Sequence, residues 1–228
     1  MIARIAVKPS YTRHCWGTLT NFPLVVLGAG TEEDTHVLVL EFVHGRSVDP
    51  WDRSEVTKSM LTLDTFHQHG IRPDLLPTLR QELLPDPVSE QDLCQAFEAG
   101  LNRIGNLTPH LEKVCGRLRR LANEIAAIVA TDSLVLDPGD VRPENTLLSS
   151  NRCTLIDFEN LAIRRRCLAI VALLQSWPNP EYVLDTYRMI TKQPLNDRTL
   201  KAASVWTAVH RLSSFADAER AESMRFES

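Results

Sequence analysis

The sequence predicts an α+β chain of two unequal lobes, a small β-rich one followed by a mainly helical one that carries a short β-hairpin. Three observations predict it. Short apolar runs with strand character dominate the first 44 residues. From Asp52 the apolar spacing changes to the helical period and returns repeatedly as far as residue 216. Between residues 133 and 156, three brief apolar runs separated by polar turns interrupt that period. These changes of pattern place the lobe boundary at 44/45, giving lobes 1–44 and 45–228.

Residues 2–8 alternate enough for a strand, which Pro9 ends. Residues 10–23 contain Gly17 and Pro23 and read as loop or a short helix. Leu24–Leu27 is a strand, and Gly28–Asp34 reads as a turn-rich acidic connection. Val37–Val43 is apolar apart from Glu41, which predicts a central strand. His44, Gly45 and Arg46 end it. Asp52, with Glu55 three positions on, forms a capping-box variant. Val56, Met60, Leu63 and His67 then share one helical stripe, which Gly70 stops. Residues 71–88 hold Pro73, Pro77, Pro85 and Pro87 and read as an extended connector with a short helical turn.

Ser89 opens the next helix, with Leu93, Ala96, Phe97, Gly100, Leu101 and Ile104 on its apolar face. Thr108-Pro109 starts a long helix that turns Leu111, Val114, Leu118, Leu121, Ile125 and Ile128 inward. Its Arg117, Arg119, Arg120 and Glu124 read as a solvated face. Ser133–Asp137, Asn145–Leu148 and Cys153–Ile156 are strands, the last two joined by a polar turn. Arg164, Arg165 and Arg166 read as a solvated or partner-facing run. Leu168–Leu174 is a buried helix that Trp177–Pro180 breaks, and helices follow over 181–191 and 197–216.

Composition narrows the function classes. The 228 residues are 43% hydrophobic and 24% charged, as in an ordinary folded domain. A net charge of -4 provides no basic field for nucleic acid. No apolar run reaches the roughly 18 residues that a bilayer span needs, and the N-terminus has no secretory pattern. The five cysteines, Cys15, Cys94, Cys115, Cys153 and Cys167, are scattered and unpaired by spacing, which predicts reduced thiols in a cytoplasmic protein.

The chemistry-bearing residues fall in one stretch. Asp140 lies in a Pro-Gly-Asp turn after a strand, Asn145 follows five positions later, and Asp157 ends the next hairpin. Phosphoryl transfer needs a base for the acceptor hydroxyl and a few oxygen ligands for magnesium. Asp140 is the candidate base, and Asn145 and Asp157 are the candidate metal ligands.

Pro138-Gly139-Asp140-Val141-Arg142-Pro143-Glu144-Asn145 resembles the H-G-D-x-x-x-x-N catalytic loop of the aminoglycoside phosphotransferase and choline kinase superfamily. Ile156-Asp157-Phe158-Glu159 is similar to that family's I-D-[WF]-E metal motif. Val37–Gly45 resembles its hinge strand, whose backbone meets the adenine, and Ile5–Lys8 resembles its lysine-bearing strand. The resemblance implies a protein-kinase-like fold with a reduced nucleotide-binding N-lobe and a mainly helical C-lobe. It implies ATP and Mg2+ as cofactors, with Lys8 at the phosphates and Glu41, Phe42 and Val43 at the base of the nucleotide.

Departures from the family pattern carry information too. Pro138 stands where the family has histidine, and Arg164-Arg165-Arg166 stands where it has an acidic G-D-P-x-x-D stretch. No glycine-rich phosphate loop precedes residues 2–8, and no acidic residue lies between Lys8 and Glu32. Reduced phosphotransferase-like subunits of this kind act beside a lyase-like protein in the modification of ribosomal peptides. The resemblance therefore implies a protein partner that covers the site and a Ser/Thr hydroxyl of a precursor peptide as acceptor. A small-molecule acceptor such as an aminoglycoside is the alternative, and a non-catalytic scaffold is the alternative of another class. Retention of Asp140, Asn145 and Asp157 together favours the enzyme.

Overall fold

The computed structural model describes residues 3–7, 26–32, 35–40, 44–69, 87–150, 152–158, 160–191 and 193–226. Lys8, Glu41, Phe42 and Val43, expected at the nucleotide, lie outside the described residues, as does Glu159.

Strands β1 (Ala3–Val7), β2 (Val26–Glu32) and β3 (Thr35–Leu40) form an antiparallel sheet in the order β1-β3-β2. The β-branched and leucine-rich run of β3 thus takes the central place, where both its edges are paired. The Gly28–Thr31 segment, expected as a turn, continues β2 instead: Ala29 pairs with Leu38 and Gly30 with Val37. The register shifts between Val26 and Gly28, the kind of irregularity that a glycine within a strand marks.

Two smaller sheets position the central stretch. Strand β4 (Arg46–Ser47) pairs with β6 (Thr146–Leu148), which pairs in turn with β7 (Cys153–Leu155). Strand β5 (Leu134–Asp137) pairs antiparallel with β8 (Ala162–Arg165), with Asp137 opposite Ala162 and Val135 opposite Arg164. The sequence did not point to β8. Four residues ending in two arginines have too little alternation to read as a strand without the partner that pairs them.

Helix α1 spans Arg53–His69. The Asp52 carboxylate accepts from the N–H groups of Ser54 and Glu55, at 2.8 and 3.2 Å, so Asp52 caps the helix as expected. The reciprocal half of the box is not made. The Glu55 carboxylate accepts instead from the Asp49 N–H at 2.9 Å and pairs with Arg46 of β4. That pairing ties the helix start to the sheet. Helix α2 (Glu90–Leu107) opens on a complete capping box between Ser89 and Asp92.

The long helix expected after Thr108 is broken. A 3-10 turn over Pro109–Leu111 leads into α3 (Glu112–Arg119), and α4 (Ala122–Ala130) follows. At the break the Leu121 N–H donates to Leu118 O at 3.0 Å, three residues back rather than four. The tighter turn changes the phase of the stripe, so Ala122, Ile125, Ala126 and Val129 face inward. Val114 and Leu121, expected inside, are 52% and 46% exposed. Helices α5 (Arg166–Ser176), α6 (Pro180–Ile190) and α7 (Asp197–Phe226) complete the chain.

The chain forms two compact units, residues 1–86 with 134–194 and residues 87–133 with 195–228. The first unit therefore joins residues from both sides of the 44/45 boundary. In it α1 packs against α6, β5 and β7. The buried side chains there include Val56, Met60, Leu63, Leu136, Leu155, Ile170 and Tyr187. In the second unit α2 packs against α4 and α7, burying Leu93, Phe97, Leu101, Val129 and Ala203. The indole N–H of buried Trp206 donates to Leu93 O at 3.0 Å.

Candidate active site

The loop from Pro138 to Asn145 connects β5 to the hairpin β6–β7. It turns first at Gly139, whose φ of +94° suits glycine. A Cβ at this position would lie 2.3 Å from the Asn160 carbonyl oxygen, so the loop passes directly against the segment after β7. The loop then folds on itself. The Arg142 N–H donates to Asp140 O at 3.1 Å, and the Asn145 N–H donates to Arg142 O at 3.0 Å. The Thr146 hydroxyl donates to the same Arg142 oxygen at 3.0 Å. From outside, the indole N–H of buried Trp177 donates to Val141 O at 2.9 Å.

This turn converts the five-residue spacing into contact. The Asn145 side-chain nitrogen donates to Asp140 O at 3.1 Å and to the Asp140 carboxylate at 3.0 Å. Both partners are acceptors, so the nitrogen must face them, and the amide oxygen is the atom Asn145 can present to a cation. Arg142 grips the same carboxylate at two points, with Nε 2.9 Å from Oδ1 and Nη2 on Oδ2. Asp140, with Glu144 and Asp157 further off, stabilises the charged form of Arg142. Sequence reasoning missed Arg142. Its one signal is the D-x-R spacing, which has no meaning until the turn brings the two side chains together.

Asp157 follows β7 by two residues. The Ile156 N–H donates to Asn145 O at 2.9 Å, so Asn145 and Asp157 flank the same end of the β6–β7 hairpin. Among the described residues, Asp157 is the one non-glycine with positive φ, at 65°. Left-handed backbone costs an L-residue about 1–2 kcal/mol, aspartate being among the non-glycines that adopt it most readily, and such positions concentrate where function holds them. The next residue anchors the turn: Phe158 is buried and stacks on Phe66 of α1, with centroids 5.8 Å apart and planes at 18°. An amide oxygen and a carboxylate at one hairpin end suit a hard cation that takes its remaining ligands from phosphate and water. Among the described residues no group of three or more His, Cys, Asp and Glu side chains offers a fuller cage.

Beneath the loop lies a charged cluster. Asp137, 4% exposed, sits with Oδ2 2.9 Å from Arg164 Nη1 and Oδ1 3.6 Å from His67 Nε2. The other ring nitrogen of His67 is 3.0 Å from the hydroxyl of buried Tyr187. The arginine run therefore departs from its solvated reading. Arg164 is mostly covered, and Arg166 is 5% exposed, donating to Gln193 O, Gln193 Oε1 and Pro194 O at 3.1, 3.2 and 3.3 Å. Charged groups are buried only with partners, and these partners come from distant parts of the chain.

Burial by itself pushes the Asp137 carboxyl up. Arg164 opposes it most strongly, followed by His67 and the Gly139 N–H, and together they hold the group below the ordinary aspartate value. A carboxyl lowered in the folded state stabilises the fold fully above its unfolded value of about 3.9, and that contribution fades as pH falls below it. Asp137→Asn is accordingly expected to be less stable than the wild type at neutral pH and to lose less further stability below about pH 4. Denaturant midpoints measured for both proteins between pH 3 and 7 check this. Parallel curves would assign the acid transition to other carboxylates.

No family model matches the chain, and no curated protein sequence matches it. Solved structures do. A macrolide 2'-phosphotransferase from Brachybacterium faecium superposes with a TM-score of 0.58 at 15% identity, over 90% of this chain and 72% of that one. The AMP-bound spectinomycin phosphotransferase gives a TM-score of 0.55 at 12% identity, over 87% of this chain and 69% of that one. An ethanolamine kinase from Plasmodium vivax gives 0.54 at 14% identity, over 83% of this chain and 61% of that one. The chain thus spans less than two thirds of the length of the last. Its architecture, a small antiparallel sheet followed by a mainly helical body, is the protein-kinase-like fold, similar to that of these phosphotransferases and kinases.

Proposed function

We propose that the protein is an ATP- and magnesium-dependent O-phosphotransferase. The observation that carries the reading is the joining of Asp140 and Asn145 in one loop, with Asp157 held in left-handed backbone at the adjoining hairpin end. Asp140 orients the acceptor hydroxyl and takes its proton as the oxygen attacks the γ-phosphorus and the bond to the ADP oxygen breaks. Asn145 and Asp157 hold magnesium, which when bound neutralises charge on the phosphates. Residues 1–44 serve as the nucleotide lobe, with Lys8 at the phosphates and the backbone of Glu41, Phe42 and Val43 at the adenine. The likeness in fold to an AMP-bound phosphotransferase supports nucleotide use.

Two acceptors fit this chemistry. The sequence resemblance supports a Ser/Thr hydroxyl of a precursor peptide, handled with a lyase-like partner that covers the site. The macrolide, spectinomycin and ethanolamine in the names of the structural neighbours support a small-molecule hydroxyl. Transfer from labelled ATP to Ser/Thr peptides and to small alcohols, with and without a co-purifying partner, separates them. A protein that binds no nucleotide and transfers nothing in any combination would be a scaffold.

Asp157→Gly tests the metal assignment by separating its effect on activity from its effect on stability. Glycine accepts a φ of 65° without strain but adds unfolded-state freedom, so stability is expected to change by no more than about 1 kcal/mol in either direction. Magnesium-dependent transfer is expected to fall on the order of 100-fold or more, as when a stabiliser of developing charge is removed. Melting curves and initial rates on the same preparation give both numbers. Retained transfer would remove Asp157 from the metal site.

A further inference from the structure

We infer that Arg164 is a positioning residue that ties the loop carrying Asp140 to the turn carrying Asp157. The inference rests on the phosphotransferase reading above. Asp140 follows Asp137 by three residues, and Asp157 precedes Asn160 by three. Asp137 and Asn160 are therefore the roots of the two chemistry-bearing segments, and Arg164 reaches both. Its Nη1 lies 2.9 Å from the Asp137 carboxylate, and its Nη2 donates toward the Asn160 carbonyl oxygen at 3.5 Å.

The two segments also run close together: a Cβ built at Gly139 would fall 2.3 Å from that same Asn160 oxygen, so only a glycine fits where the loop passes Asn160. Arg164 sits on β8, whose pairing with β5 sets Val135 opposite Arg164 and Asp137 opposite Ala162. The guanidinium is thus delivered from a rigid element, and a planar fork can hold two acceptors in fixed geometry. Asp137 is backed by His67 from α1, itself paired with Tyr187 from α6. This cluster supplies, from below, an anchor for a loop that has Pro138 in place of a histidine.

Arg164→Lys and Arg164→Met distinguish positioning from bulk stability. A lysine keeps a positive charge beside Asp137 but has no second arm for Asn160. We expect Arg164→Lys to lower kcat on the order of 10-fold and Arg164→Met on the order of 100-fold, with KM for ATP within about threefold of wild type. Hydrogen exchange is expected to quicken together in peptides covering 137–145 and 157–161, and in Arg164→Lys to stay unchanged in α2 and α7. Assays run well below each variant's melting temperature remove the contribution of unfolding. A folded Arg164→Lys with kcat within twofold of wild type, or exchange that quickens in one segment alone, overturns the inference. If Arg164→Met does not fold, Arg164→Lys decides alone. If the wild type transfers no phosphate, the proposed function fails, and the exchange measurement still decides whether Arg164 couples the two segments.

Discussion

Asp140→Asn is expected to lower phosphoryl transfer by about 10²- to 10⁴-fold, the range a positioned general base contributes. The substitution is nearly isosteric, and the site predicts that it spares the fold. The amide oxygen of the new side chain can still accept from Asn145 Nδ2, which now reaches the carboxylate at 3.0 Å. The two-point pairing with Arg142 is lost, but that side chain is 51% exposed and its guanidinium returns to water. The stability change is therefore expected to stay within about 1 kcal/mol. KM for ATP should be little affected, because Asp140 acts on the acceptor hydroxyl. Initial rates with labelled ATP, beside a melting curve, separate lost chemistry from lost structure. A variant that works at the wild-type rate would show that the base lies elsewhere.

Gly139→Ala is expected to be the most destabilising single-methyl change in the loop. The backbone there has φ +94°, where a Cβ costs about 1–2 kcal/mol. The added carbon would also stand 2.3 Å from Asn160 O, 2.5 Å from Asn160 Cβ and 2.7 Å from Asn160 C. Two of these three atoms are backbone, so relief requires moving the segment after Asp157, at a further cost of about 1–3 kcal/mol. The sum is a loss of about 2–5 kcal/mol, with transfer falling in parallel because both chemistry-bearing segments move. Gly116, on α3, has nothing within 4 Å of an added Cβ, and Gly116→Ala is expected to gain about 0.5–1 kcal/mol. Denaturant midpoints of the two variants should therefore move in opposite directions. A Gly139→Ala protein within 1 kcal/mol of wild type would mean that the loop stands clear of Asn160 in solution.

Much of the molecule was legible in the sequence because it depends on near neighbours. The strand character of β3, the helix start at Ser89 and the stripe Val56, Met60 and Leu63 all follow from spacings of a few residues. The nomination of Asp140 and Asn145 together belongs to the same class, since it rests on a five-residue spacing, and the turn then joins the two side chains. Gly28–Thr31 and the helix after Thr108 misled for a complementary reason. Local turn signals yielded to pairing with β3 in the first, and a tightened turn at Leu121 changed the phase in the second.

By itself, then, the sequence pointed to most of the strands and helices, β4 and β8 apart, and nominated the set Asp140, Asn145 and Asp157. Tertiary structure alone decided what holds that set in place. Trp177 reaches Val141 across 36 residues, and Arg166 finds its acceptors 27 and 28 residues away. His67, Asp137 and Arg164 come from three separate elements, α1, β5 and β8. Whether an arginine faces water or a buried carboxylate depends on which strand pairs with it, because burial of a charge is stable only where a distant partner arrives to meet it.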